Sequence, residues 1–249
     1  MHCLEVWGDL ACFTRPEMKV ERFSYPVITP SAGRGIFDAV YWEGVREDGF
    51  MRPYFHWQIR RIEALSEPRY LALRRNEVKE KAPSDRTILR WMRGQQAPEP
   101  IWADANKEET GTDQKGRTQR QTMALSGIRY RLFADIVPHG RFKDGKPKFD
   151  AIFERRAKAG QCFQQPYFGC REFPAFFEWR QTAGPHEPKP ACFDADLGWM
   201  LYDVFDLARD QVSIADCKPF ITLFKAKLSG GVLEVPDFSS DAVKKPPRS

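Results

Sequence analysis

Histidine is scarce in this chain, four in 249 residues, and its six cysteines form no CxxC pair. Cys3, Cys12, Cys162, Cys170, Cys192 and Cys217 lie far apart, and His2, His56, His139 and His186 fall near none of them at zinc spacing. No zinc centre is expected. There is no P-loop, Rossmann glycine fingerprint, HExxH or GxSxG, so the common phosphate-cradling, metalloprotease and serine-hydrolase chemistries lack their motifs. Asp38, Asp135 and Asp150 are dispersed, which gives a two-metal nuclease little support. No apolar run approaches the roughly 18 residues of a membrane span, and no secretory h-region opens the chain. The expected setting is a reducing cytoplasm with free thiols and no membrane contact.

Acid is missing too, but only in places. The formal charge is +5, from 39 basic and 34 acidic residues, and the basic ones cluster. Residues 115–131 carry Lys115, Arg117, Arg120, Arg129 and Arg131 with no acid. Residues 69–93 and 141–158 are also rich in Lys and Arg. Such clustering reads as a footprint for a polyanion. The length suits one large domain or two small ones.

The stretch around which the rest of the chain is read is KVERFSYPVITPSAGRGIFDAVYW, Lys19 to Trp42. Thr29 is an N-cap, Pro30 takes the first helical position, and Ala32, Ile36, Ala39 and Val40 recur at helical spacing. Gly33 and Gly35 flank Arg34, and glycines tolerated inside a helix imply a close backbone, of a protein strand or of a nucleic acid. Residues 3–13 alternate as a first strand, and Tyr54 to Ile62 form a second, with His56 packed on one face. The block 65–116 reads as an insertion, with a strand at 71–78, a short helix at 85–93 capped by Ser84, and a polar stretch beyond.

Ile128, Tyr130, Leu132, Ala134 and Ile136 then alternate as a long strand. Asp150 to Ala159 reads as a helix stopped by Gly160, and 176–179 as a strand. Phe173 to Trp179 reads as core, and Cys162 and Cys170 as structural thiols. A Pro-rich linker, Gly184 to Pro190, leads to a strand at 197–205 and a hairpin around Gly230-Gly231. The order β, α, β, insertion, β, α, β predicts an α+β fold, a ferredoxin-like βαββαβ domain over 1–182, shared with RNA-recognition domains. A small antiparallel β subdomain over 183–236 and a disordered tail over 237–249 complete it.

This inventory suits RNA chemistry without a metal: a base takes the 2′-OH proton, the alkoxide attacks phosphorus, and cations hold the charge. Tyr41, Trp42, Lys146, Lys148 and Arg34 are the candidates to supply it, but neither Tyr nor Lys is a good base at neutral pH without tuning by neighbours. The plain alternative keeps Tyr41 as a helix-end aromatic and the lysines as phosphate clamps.

The residues also carry a resemblance. Val6 to Trp42 closely resembles the opening of the Cas-five family of CRISPR-associated proteins, d subtype, of type I-C systems. LRRNEVKEK (73–81), RTQRQTMAL (117–125), IFERRAKAGQCFQQPYFGCREFPAFFE (152–178) and DLGWMLYD (196–203) follow in the family's order. The resemblance implies an endoribonuclease that binds precursor CRISPR RNA, cuts at the base of each repeat hairpin without metal, and keeps the 5′ handle of the mature guide. Its implied partners are the Cas-seven backbone and Cas-eight large subunits of a surveillance complex; other subtypes mostly bind without cutting, which is the alternative here. The family's catalytic tyrosine falls on Tyr41. Its lysine falls on Lys148, or on Lys146 with a two-residue gap. Its histidine is absent, replaced by Phe149, and His139 could substitute only if the intervening loop folds back. Lys19, Arg22, Arg34, Arg117 and Arg120 are the expected phosphate contacts, joined by Arg155 and Arg156 unless these form a plain exposed helix face. No cofactor is expected.

Overall fold

The computed structural model describes residues 1–18, 20–181, 188–213 and 218–247. Most of the expected linker at 184–190, and Lys19, lie outside them. The elements are β1 (His2–Ala11), β2 (Arg22–Phe23), α1 (Pro30–Val40), β3 (Gly44–Glu47), β4 (Phe50–Pro53), β5 (Phe55–Ala64) and β6 (Arg69–Val78). There follow α2 (Asp85–Met92), α3 (Lys107–Thr110), β7 (Arg117–Pro138), α4 (Lys146–Lys158), β8 (Phe176–Arg180), β9 (Ala195–Asp203), β10 (Val212–Ser213), β11 (Thr222–Ser229), β12 (Val232–Glu234) and β13 (Val243–Lys244). The chain divides into two compact units, residues 1–71 with 123–249, and residues 72–122.

In the larger unit one sheet runs β13-β11-β12-β5-β7-β1-β8, and a short one runs β10-β4-β3. All contacts among β5, β7, β1 and β8 are antiparallel, with Leu132 opposite both Leu4 and Ile62, and Leu4 opposite Trp179. The expected strand at 128–136 begins at Arg117, because the polar residues ahead of it continue the same alternation. The β3–β4 hairpin was missed, although Asp48-Gly49 carries its signal: both residues have positive φ (51° and 79°), as a two-residue turn of that hand requires.

Helix α1 forms where its cap dictates. Thr29 Oγ1 accepts from the Ala32 N–H (3.2 Å), Pro30 needs no partner there, and Phe37 and Ile36 go inward. Its core partners are Trp57 of β5 (4.8 Å between centroids) and Phe153 of α4 (5.5 Å), and Phe153 meets Trp57 at 4.6 Å. These large, fully buried aromatic rings each contribute about 2–3 kcal/mol of apolar burial. The two helices thus share one face of β5.

Among the described residues no protein backbone approaches the glycines of α1 closely; Gly33 packs on side chains of the sheet instead. A Cβ on Gly33 would meet side chains of Ile59 and Leu132 at ordinary contact distance, and one on Gly35 would meet nothing within 4 Å. Gly35→Ala is therefore expected to stabilise the protein by up to about 1 kcal/mol, a rise in thermal midpoint readable by calorimetry. A fall would show that the site needs a bare backbone.

The other face of β5 carries His56, Gln58 and Arg60, and it holds the C-terminal chain. Gln58 donates to the Tyr202 hydroxyl (2.7 Å) and accepts from the Phe238 N–H (3.1 Å). A bulge between Ile59 and Arg61 lets Arg60 reach both Asp135 (3.0 Å) and Asp237 (2.8 Å). Val243 pairs with Phe224. The expectation of a disordered tail from 237 is thereby corrected through residue 247: Phe238 and Val243 are buried, and the segment finds partners in β5 and β11. The expectation of a separate β subdomain at 183–236 is corrected as well, since β12 pairs with β5 and continues the main sheet.

The smaller unit, residues 72–122, holds α2, capped by Ser84, and α3, closed by a capping box at Asn106 and Glu109. Arg74, Lys81, Arg86, Arg90 and Arg93 are all exposed on it. Among the described residues no helix is long and apolar enough to cross a membrane.

Candidate functional site

Tyr41 ends α1 as its C-cap, its ring on Phe55 (5.3 Å) and its backbone carbonyl accepting from the Trp57 indole (2.9 Å). The side chain is buried, and its hydroxyl donates to Glu43 Oε2 at 2.5 Å. Burial first, and then the Glu43 carboxylate, push the phenol well above the usual tyrosine range. A phenolate base is thus disfavoured, and Glu43, half-buried at the outer end of the pair, accepts the phenol's hydrogen bond. The family resemblance pointed to Tyr41 and gave no sign of Glu43, although the two residues are only two apart on a chain leaving a helix.

Helix α4 begins at Lys146, four residues earlier than its expected start, with Pro147 in its first turn. Lys148 is therefore on that first turn, exposed, and without a hydrogen bond or ion pair among the described residues. Lys146 is instead held by Asp150 (2.9 Å), whose carboxyl also accepts from His2 (2.7 Å) and lies below the usual range despite its burial. Lys148 rather than Lys146 is the cation at liberty. Phe149, the position at which the resemblance led to the expectation of a histidine, is buried against Tyr54 and Phe55. His139 opens the 3-10 turn at Gly140–Gly145 and faces His56, with ring centroids 5.1 Å apart.

The expected phosphate contacts fare unequally. Arg155 is exposed and unpaired among the described residues. Arg156 turns back, donates to the Val40 carbonyl (3.3 Å) and lies 5.7 Å from the Tyr41 ring, so it ties α4 to the end of α1. Arg22 donates to Cys170 Sγ (3.1 Å). In the smaller unit Arg117 pairs with Asp104 (3.2 Å) and Arg120 with Glu77 (3.4 Å), both at partly exposed positions where solvent competes.

Arg34 departs furthest from its expected role. Its guanidinium is bonded to Asp38 and grips both oxygens of Asp203, at 2.6 and 3.2 Å. With two carboxylates on one cation it has no charge to offer a phosphate, and its place is structural: it joins α1 to β9. Burial, opposed by Arg34 and reinforced by Asp203, raises the Asp38 carboxyl to about 6. Cys170 is buried as expected of a structural thiol, whereas Cys162 is exposed. Of the run expected as core, Phe173 is buried but Phe176 is half exposed, stacked on Trp7 (6.3 Å).

Beside α1 opens a cleft of about 430 Å³ walled by Trp42, Phe163, Phe205, His56 and His139. Sequence reasoning missed it because its walls come from five separate stretches of chain. Burial, then the neighbouring ring of His139, hold His56 down at about 3, and burial also lowers His139, against the pull of Asp210. Both imidazoles are neutral at physiological pH. Among the described residues no cluster of three or more His, Cys, Asp or Glu side chains is placed to hold a metal ion.

An antiparallel sheet backed by α1 and α4, with an insertion at residues 72–122, makes this a mixed α/β protein. The family model for Cas5d, described as "CRISPR-associated protein (Cas_Cas5)", matches residues 2–236. The chain belongs to the Cas5d family. It is 36% identical over 255 residues to the CRISPR pre-crRNA endoribonuclease Cas5d of Mannheimia succiniciproducens, covering 97% of each chain. The protein of the same name in Thermus thermophilus is 34% identical over 243 residues, covering 94% of this chain and 90% of its own. A crystal structure of a CRISPR-associated protein shares the fold, with a TM-score of 0.59 at 18% identity over 98% of this chain and 95% of that one.

Proposed function

We propose that this protein is a metal-independent endoribonuclease that binds the repeat hairpin of precursor CRISPR RNA and cuts at the base of the stem. After cutting it stays on the 5′ handle as a subunit of the type I-C complex, alongside Cas-seven backbone and Cas-eight large subunits, in a prokaryotic cytoplasm. The observation that carries this reading is its likeness, over 97% of both chains, to a relative named for that activity. We also read β1, β5, β7 and β8 with α1 and α4 as a ferredoxin-like core; the antiparallel order β5-β7-β1-β8 supports it.

The chemistry follows from the site. Tyr41 orients the ribose 2′-OH and takes its proton while passing its own to Glu43, so no free phenolate is needed. The 2′ oxygen attacks the adjacent phosphorus, and Lys148 holds the charge that develops on the phosphorane. The P–O5′ bond breaks, leaving a 2′,3′-cyclic phosphate, and the departing 5′ oxygen takes a proton from solvent. Arg155 and the exposed arginines of the insertion contribute phosphate contacts, which makes affinity fall steeply with salt. Lys19, outside the described residues, remains a proposed contact on its sequence position alone.

The test is cleavage of the cognate repeat RNA in excess EDTA. Expected are full activity without metal, none on RNA carrying a 2′-deoxy sugar at the cut site, and about a 100-fold lower rate for Lys148→Ala with binding retained. Tight binding without cleavage by the wild type would make the protein a handle-binding subunit only.

A further inference from the structure

We propose that the cleft beside α1 is a binding site for one unstacked nucleobase of the repeat RNA. The proposal rests on the RNA-binding part of the reading above and adds where a base is held. Three aromatic rings stand at the opening: Phe163 is 84% exposed, Phe205 53% and Trp42 41%. Exposed rings at a cleft mouth cost the free protein hydration and offer flat apolar faces, and a base supplies a matching π-face whatever its identity. A volume of about 430 Å³ admits a base with its sugar.

Charge on the walls argues against a phosphate. Arg34 and Arg209 are the cations lining the cleft, and each is engaged by aspartate: Arg34 by Asp38 and Asp203, and Arg209 by Asp206 (3.4 Å). A neutral, hydrogen-bonding ligand suits that balance. His56 and His139 answer it, since a neutral imidazole presents one donor and one acceptor, the two kinds of group found on a base edge. Among the described residues, Nδ1 of His56 is buried with no hydrogen-bond partner, a cost that a native structure seldom leaves without use.

Placement agrees with the chemistry. Trp42 follows Tyr41 directly, and the Phe163 N–H donates to the Ala39 carbonyl (2.7 Å), so the cleft mouth is fixed to the end of the helix that bears the proposed catalytic tyrosine. A base captured there would anchor the chain next to the cut site.

Phe163 and Phe205 are exposed enough to be truncated without loss of the fold. The experiment compares the wild type with the double variant Phe163→Ala, Phe205→Ala, binding repeat RNA whose cut site carries a 2′-deoxy sugar. Each position of the RNA in turn is made abasic. In the wild type, one position is expected to cost about tenfold or more in affinity. The double variant should lose a similar factor on intact RNA and then be indifferent to the abasic site at that position only. Losses that simply multiply at every position would overturn the proposal. So would unchanged RNA binding by the double variant together with failure to join the other subunits, which would assign the cleft to a protein side chain. If the wild type fails to bind repeat RNA at all, both the reading and the inference fall.

Discussion

Tyr41→Phe is expected to slow cleavage of repeat RNA by about 100- to 10,000-fold while leaving RNA affinity nearly unchanged. The ring stays packed on Phe55 and beneath Arg156, so the end of α1 keeps its shape. What is lost is one hydroxyl and its bond to Glu43. Glu43 is half exposed and water can replace that bond, which limits the stability cost to about 1 kcal/mol. Single-turnover rates would carry the effect and equilibrium binding would not. Because burial and Glu43 hold the phenol above its ordinary range, the wild-type rate should show no rise that follows tyrosine ionisation near neutral pH. A variant that cleaves at the wild-type rate would remove Tyr41 from the chemistry.

The second large effect is on folding. Arg34→Met is expected to destabilise the protein by about 3–5 kcal/mol at pH 7.5, because it strands two carboxylates in a site built for three charges. Its dependence on pH separates this account from simple loss of packing. The Asp38 carboxyl already sits near 6 in the native protein, above the 3.8 expected in the unfolded chain. A carboxyl raised by folding contributes stability that is fully present below the unfolded value and is lost as pH rises through the folded one. In the wild type this contribution fades between about pH 4 and 6. Without Arg34, which pulls the carboxyl down, the folded value rises and the loss extends toward neutrality. The gap between variant and wild type should therefore narrow on acidification from pH 7.5 to 5, measured by denaturant titration at each pH. A gap of constant size would mean that the loss is not tied to the ionisation of these carboxylates, and would overturn this account.

Much of this was legible beforehand. The cap at Thr29-Pro30, the alternation of 3–13 and 128–136 and the stop at Gly160 are local signals, and each marks an element of the structure, although β7 and α4 both begin earlier than expected. Pro147 marks the true start of α4, since proline favours a first turn, but the apolar spacing from Ile152 onward did not reach back to it. The role of Arg34 could not be read. Its nearest partner, Asp38, is one helical turn away and was within reach of a spacing argument, whereas Asp203 arrives from 169 residues further on. The same holds for His139 and His56, and for the C-terminal chain folded onto Gln58 and Arg60. Contacts of that range are set by topology, and no window of sequence holds both partners.

The pairing of β5 with β12 has a consequence for how the protein is made. Ala64 and Glu63 leave the ribosome long before Val232, the residue that pairs with Glu63. At ordinary rates of synthesis the intervening chain takes on the order of ten seconds or more to emerge. During that interval one edge of a strand at the centre of the finished sheet stands open, rich in apolar side chains and ready to pair with a neighbouring nascent chain. Translation past residue 234, rather than completion of the first helix and strands, is the event that ends this exposure.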